Sequence, residues 1–499
     1  MTTTANIVNR AMDHHRQGRI AEAEADYRNA LALNPNNPDA LHLLGVIVAQ
    51  AGDAQQGILL IERSLRARPS SFEAHFNLAN VYAGQLHYTD AERHFRAAFQ
   101  LRPGHAEASN GVGGCLLRTG NYGEAEAWLA KAVKIDPRCV SALINLGTLM
   151  DATGHFAETI SYYDRALAIQ PDHGEALSNR ALALLARGRF KEGWPAYACR
   201  FKTAPAFHGR FPFPYWRGET VSGRKVLVWT EQGLGDEILA VSMIPDLSRA
   251  GARIVLICSP RLRDLFGRSF PGIDIVSTDG QATSADAMAE IDIQASVSHL
   301  GECLRSSFEA FSRPVAYLQP DPAAAKSLRE KYKAAAGGKL VVGLAWRSAA
   351  RDGGLEKTVA LLQWERILRT PGLFFVNFQY GDTRAEVMEA ERAFGIKILS
   401  DVDVDSMGSI DVVAAQAAAL DLVISVSNTG AHIAGAVGTR TWTLVPANIS
   451  RLWYWFLERN DSPWYPGVRL FRQRGREWAT TFNEMQAAIE SLLQCETAI

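Results

Sequence analysis

The sequence predicts an α-helical solenoid followed by an α/β domain of two lobes, each on a parallel sheet. Two observations carry that prediction. Pro35, Pro69, Pro103, Pro137, Pro171 and Pro205 stand 34 residues apart without a slip, a period that fits one helix-turn-helix unit per repeat. Past Lys225, short runs rich in Val, Ile and Leu alternate with helical stretches, the pattern of parallel strands with crossover helices. At 499 residues the chain also exceeds one ordinary core.

Aligning the prolines brings other columns into register. A small residue recurs in the first helix of each repeat, at Ala11, Gly45, Ala79, Gly113, Gly147 and Ala181. A second small column reads Ala23, Gly57, Ala91, Ala125, Thr159 and Gly193. Small side chains there let the paired helices approach closely. A bulky column fills the space between them, at Tyr27, Ile61, Phe95, Leu129, Tyr163 and Tyr197. The turn column reads Gly18, Gly52, Leu86, Gly120, Gly154 and Gly188, where glycine suits a left-handed helix end. Each proline then stops a second helix. These columns resemble the tetratricopeptide repeat family from residue 4 to about 205, in about six repeats. In that repeat the first helix lines a concave groove. One column on it reads Asn9, Leu43, Asn77, Gly111, Asn145 and Asn179. The amides of Asn9, Asn77, Asn145 and Asn179 can bond an extended acceptor peptide, or they can join neighbouring helices. The ladder is similar to that of tetratricopeptide-bearing protein O-glycosyltransferases.

The formal net charge of −1 excludes a broad nucleic-acid surface. Six scattered cysteines show no metal-ligand spacing and predict reduced thiols in a cytoplasmic protein. The first residues lack the apolar core of a signal peptide, and no apolar run is long enough for an integral membrane segment.

Domain boundaries follow from the pattern: a solenoid over 1–205, an aromatic linker over 206–224, a first Rossmann-like lobe over 225–338 and a second over 339–499. The linker carries Phe207, Phe211, Phe213, Tyr215 and Trp216 and reads as a segment that packs. Strands are predicted at 226–230, 253–258, 273–276 and 291–297, then at 340–346, 373–379, 397–400, 420–426 and 441–445. A helix over 322–336 joins the two series. A last helix near 482–494 could cross back to the first lobe.

Three loops after strands carry the candidate chemistry, because ligands of such sheets sit beyond the C-terminal strand ends. The first is Glu231-Gln232-Gly233-Leu234-Gly235-Asp236-Glu237. Gly233 and Gly235 allow a tight turn, and Asp236 faces the cleft or caps the helix. The second runs from Arg347 and Ser348 to Lys357 and Thr358, and its two cations can neutralise a phosphate. The third is Ser427-Asn428-Thr429-Gly430-Ala431-His432. It leads into a helix whose N-terminus presents free N–H groups to an anion, with His432 on the first turn, where it could bond the phosphate or pack inward.

The segments GLGDEILAVSMIP and SVSNTGAHIAGAVG resemble blocks of the ADP-heptose heptosyltransferase family, a GT-B glycosyltransferase group. RLWYWFLERNDSPWYPGVRLFRQ resembles a block of bacterial proteins that join tetratricopeptide repeats to such a domain. The layout is similar to bacterial flagellin glycosyltransferases. The resemblance implies a GT-B fold, a protein acceptor such as flagellin held by the repeats, and a nucleotide-sugar donor. By position, Asp236 matches the family's catalytic base, with Glu231 or Glu237 as alternatives. Residues 428–432 match its phosphate cradle. Ser427-Asn428 stands where the family usually has Asp-Thr, which removes a carboxylate beside the phosphate. A more anionic donor follows as an expectation, for example a CMP-linked nonulosonic acid. The expected reaction is inverting sugar transfer to Ser or Thr. Asp401, Asp403 and Asp405 read as an exposed loop, so metal-independent chemistry is expected. The alternatives are a scaffold whose transferase fold has lost its chemistry and a lipopolysaccharide heptosyltransferase. The aromatic cluster Trp453-Tyr454-Trp455 and the segment Asp461-Ser462-Pro463-Trp464-Tyr465-Pro466 read mainly as packing, with one or two rings touching donor.

Overall fold

The computed structural model describes residues 3–198, 211–230, 233–279, 287–311, 316–348, 357–447, 452–474 and 477–497. The chain divides into two compact units, Met1–Ala176 and Leu177–Ile499.

The first unit is a tetratricopeptide solenoid. It consists of α1 (Thr4–Arg16), α2 (Ile20–Leu33), α3 (Pro38–Gln50), α4 (Ala54–Ala67), α5 (Phe72–Gly84), α6 (Tyr88–Leu101), α7 (Ala106–Arg118), α8 (Tyr122–Ile135), α9 (Val140–Thr153) and α10 (Phe156–Ile169). First helices start on side-chain caps such as Asn37 and Ser71, which accept from Ala40 and Ala74 N–H. The small column is small because the bulky column lies on it. A Cβ at Gly45 would stand 2.7 Å from Ile61, and one at Gly113 or Gly147 would stand 2.6 Å from Leu129 or Tyr163. The turn column takes positive φ at its five glycines and also at Leu86, with φ 63°. The repeat pattern continues through α11 (Gly174–Leu185) and α12 (Phe190–Ala198). Within the second unit, α12 is built into the core, with Trp194 donating from Nε1 to the Arg305 carbonyl at 2.9 Å.

The rest of the second unit carries two parallel sheets. In the first lobe β1 (Lys225–Trp229), β2 (Arg253–Cys258), β3 (Asp274–Ser277) and β4 (Ile293–Ser296) run in the order β3-β2-β1-β4. Their crossovers include α13 (Leu234–Val241), α14 (Ile244–Arg249), α15 (Arg263–Ser269) and α16 (Val297–Leu304). Helix α17 (Pro322–Ala336) leads into the second lobe. There β5 (Leu340–Ala345), β6 (Leu373–Asn377), β7 (Ile398–Leu399), β8 (Leu422–Val426), β9 (Thr441–Val445) and β10 (Val468–Arg472) run in the order β10-β9-β8-β5-β6-β7. Helices α18 (Glu365–Leu368), α19 (Arg384–Phe394), α20 (Ile410–Ala419), α21 (Thr429–Val437) and α22 (Ala479–Thr497) accompany it. All pairings are parallel. The strand order reverses between β1 and β4 in one lobe and between β5 and β8 in the other, and such switch points open crevices.

Two departures from the sequence reading have simple causes. Strand β10 escaped it because VRLFR alternates charged and apolar residues and lies in an aromatic, proline-containing stretch. The last helix does not cross back to the first lobe. Its Phe482, Met485 and Ile489 pack into the second lobe's core, with the Phe482 ring 5.3 Å from that of Trp364. Leucine, tryptophan and phenylalanine side chains there offer it a complementary apolar face.

Candidate functional site

A cavity of about 380 Å³ lies at the strand ends of the second unit, lined by Gly233, Gly235 and Asp236 of the first lobe and Ser427–Gly430 and His432 of the second. Lys357, Arg261 and Tyr454 also line it. Apolar side chains such as Phe378, Ile410 and Val413 make up another part of the lining.

The loop after β1 turns into α13 at Gly233. Asp236 sits in the first turn, and its carboxylate accepts the Gly233 N–H at 3.3 Å. It therefore caps the helix and lines the cavity at once. Glu237 points elsewhere. It is buried, accepts the Ser259 N–H at 2.9 Å, and burial pushes its carboxyl above the ordinary range. It is absent from the cavity lining, so its carboxyl joins α13 to the end of β2 instead of facing a substrate. Glu231 lies outside the described residues, as do Phe207 and the rest of 199–210.

The loops after β5 and β8 meet at the second lobe's switch point. Asn428 is the hinge of that meeting. Its Oδ1 accepts from Ser425 Oγ at 3.0 Å and from Ala431 N–H at 3.3 Å, and its Nδ2 donates to the Arg347 carbonyl at 3.1 Å. The Asn428 side chain is thus committed to shaping the loop. The backbone N–H groups of Thr429 and Gly430, the first two residues of the nine-residue α21, have no partner among the described residues. With the buried Lys357 in the same lining, they form an anion-directed corner.

Arg347 departs from its expected place. Its Nη1 bonds Glu386 Oε2 at 2.8 Å and its Nη2 donates to the Asp382 carbonyl at 2.7 Å. A carboxylate and a carbonyl on the α19 side hold the guanidinium, and it does not line the cavity. His432 packs inward. Its Nδ1 lies 2.6 Å from Tyr465 Oη and its Nε2 3.1 Å from Tyr454 Oη. Burial, with help from Lys357, pushes its pKa down to about 3, so the ring is neutral and donates to one tyrosine while accepting from the other. Ser427 Oγ accepts from Trp455 Nε1 at 2.6 Å. Trp453, Trp455, Trp464 and Tyr465 are buried in the core, and Tyr454 also lines the cavity.

Lys331 Nζ donates to both Asp401 and Asp403 at 2.7 Å, and Asp405 accepts the Met407 N–H at 2.9 Å. Among the described residues no cluster of three or more His, Cys, Asp or Glu is placed to hold a metal ion. The same residues contain no helix long and apolar enough to cross a membrane.

In the solenoid the asparagine column does structural work at two places. Asn77 Nδ2 lies 2.9 Å from His42 Nε2, and Asn145 Nδ2 donates to Asn110 Oδ1 at 2.8 Å. Both bonds join first helices of adjacent repeats. Gly111 interrupts the column because a Cβ there would meet the Phe95 ring at 2.5 Å. Asn9 is exposed, and Asn77, Asn145 and Asn179 remain partly exposed, so each amide keeps capacity for a further bond.

Sequence reasoning missed Arg261 and did not single out Tyr454. Arg261 follows β2 directly, at the 3-10 turn Pro260–Leu262. The rule that picked the other loops, polar residues just beyond a strand's C-terminal end, would have found it.

The tetratricopeptide repeat family model matches residues 8–72, 76–138 and 144–198. Over 314 residues the chain is 34% identical to Protein FlbA of Caulobacter vibrioides, covering 60% of this chain and 52% of that protein. The chain thus spans about half the length of the curated relative it matches. Among solved structures, MamA is 21% identical, covering 32% of this chain and 94% of that one, with a TM-score of 0.30. Pseudomonas aeruginosa pilF is 15% identical, covering 42% and 93%, with a TM-score of 0.36. YrrB, described as a TPR protein with an unusual peptide-binding site, is 16% identical, covering 37% and 94%, with a TM-score of 0.28.

Proposed function

We propose that this chain is a cytoplasmic protein O-glycosyltransferase of GT-B type that moves a sugar from a nucleotide donor to Ser or Thr of a protein held by the repeats. The observation that carries the reading is the shared cavity, where Asp236 of one lobe and the open N-terminus of α21 from the other line the same space. In this reading the N–H groups of Thr429 and Gly430, with Lys357, hold the departing phosphate. Asp236 takes the proton of the acceptor hydroxyl as the oxygen attacks the anomeric carbon from the opposite face. Such base assistance is worth about 10²–10⁴ in rate. Held near the cavity, the acceptor reacts as if concentrated. The resemblance to flagellin glycosyltransferases makes flagellin the first acceptor to try. The missing carboxylate at Ser427 favours an anionic donor such as a CMP-linked nonulosonic acid.

The test is mass spectrometry of flagellin co-expressed with the wild type or Asp236→Ala, with the donor supplied. Sugar mass with the wild type and none with the variant supports transfer by this site. Sugar with both points to another transferase. A second reading, a binding scaffold without chemistry, is favoured by Ser427, whose hydroxyl serves the Trp455 indole. It predicts no sugar with either protein, yet capture of the acceptor by both.

A further inference from the structure

Arg261 reaches from the first lobe to the turn before α20. Its Nε donates to the Gly408 carbonyl at 2.8 Å and its Nη2 to the Ser406 carbonyl at 3.1 Å. Both acceptors are neutral. Arg268, on α15, offers a contrast, since Asp411 takes its guanidinium through bonds of 2.6 and 2.8 Å. Among the described residues Arg261 has no carboxylate partner, and Nη1 has no partner at all.

The geometry leaves a particular edge open. A guanidinium has a side edge, Nε with Nη2, and an end edge, Nη1 with Nη2. The side edge is taken by the two carbonyls. The end edge remains, on a partly buried cation in a cavity walled by Met407, Ile410 and Val413. Arginine in such a setting favours planar oxyanions held by two parallel bonds. The carbonyls fix the guanidinium, so less freedom is lost when the anion arrives.

We propose that Arg261 is a second anion-recognition point of this cavity, supplied by the first lobe, which grips an oxyanion of the donor other than the phosphate held at Thr429 and Lys357. The inference rests on the nucleotide-sugar reading above and narrows it to donors with two anionic centres. The second centre is either another phosphate or a carboxylate on the transferred sugar, and the shared chemistry is a bidentate oxyanion.

Calorimetry on the full-length protein separates these sources. The probes are the four nucleoside monophosphates, the matching diphosphates and CMP-N-acetylneuraminate, whose sugar bears a carboxylate. Arg261→Gln is expected to weaken one two-anion class by roughly ten- to hundredfold while monophosphate affinity stays unchanged. Loss confined to diphosphates identifies phosphate, and loss confined to the sialyl nucleotide identifies carboxylate. Arg261→Lys keeps the charge without the fork and is expected to lose several-fold, which guards against a misfolded glutamine variant. Equal affinities in wild type and both variants, or one uniform loss that includes monophosphates, would overturn the inference. A wild type that binds none of the probes sinks the nucleotide-sugar reading itself, and this inference with it.

Discussion

Gly235 of the first lobe lies against the imidazole of His432 of the second, so that a Cβ at 235 would stand 2.9 Å from ring Cδ2. The ring cannot yield easily, because each nitrogen is held by a tyrosine hydroxyl. The Gly235→Ala protein is therefore expected to lose about 1–3 kcal/mol of stability from overpacking. Under the proposed nucleotide-sugar function, nucleotide affinity should fall with it, since the added methyl pushes on the helix that bears Thr429. Denaturant titration and calorimetry read the two effects. Unchanged values in both would show that the lobes separate at this contact at no cost.

The same imidazole makes stability depend on pH. Its folded pKa is about 3, below the ordinary value near 6.5. An unfolded chain binds this proton more readily, so stability is full above about pH 6.5 and falls as pH drops toward 3. The slope from one such group is at most about 1.4 kcal/mol per pH unit. His94, pushed down to about 4 by burial, and His42 and His75, lowered by burial, act in the same direction. Melting temperatures from pH 7 to 4 should therefore fall less steeply for His432→Gln than for the wild type. Parallel curves would rule out a buried neutral ring.

Asn428 serves two loops, and two substitutions separate its duties. Asn428→Ser keeps an N-cap oxygen for α21 but drops the bond to the Arg347 carbonyl. Asn428→Ala drops both and is expected to cost about 1 kcal/mol more. Nucleotide affinity should fall in both variants if the bridge to Arg347 shapes the anion corner. Affinity unchanged in the serine protein would limit Asn428 to capping.

Leu86 occupies a left-handed position, φ 63°, that the other turns of the column give to glycine. A non-glycine residue there costs about 1–2 kcal/mol, and glycine's extra freedom when unfolded returns roughly 0.5–1. Its side chain is 52% exposed, so little packing is lost. Leu86→Gly is expected to stabilise the solenoid by up to about 1 kcal/mol, read as a rise in unfolding temperature. A fall would mean that the Leu86 side chain contributes more than its exposure suggests.

Much of the fold was legible because it rests on local pattern. The 34-residue period gave the helix pairs, and the apolar runs gave every strand but β10. The strand-end loops were legible for the same reason, and the structure brings Asp236, Lys357 and Thr429 to one cavity. The roles of individual side chains were not. Arg347 had as good a position in the sequence as Arg261. Only the placement of Glu386 beside one, and of bare carbonyls beside the other, separates them. Likewise the asparagine column could not announce that His42 and Asn110 would meet two of its members.

The sequence by itself determined the period, the alternation of strand and helix, and the points where polar residues follow buried strands. Each depends on neighbours a few residues away, through helix ends, turn geometry and side-chain size. Tertiary structure alone decided which cation is neutralised and which faces the cavity, and that His432 is locked between Tyr454 and Tyr465. Those outcomes are set by partners 22 to 147 residues distant along the chain, because charge pairing and burial depend on proximity in space and leave no periodic trace in the order of residues.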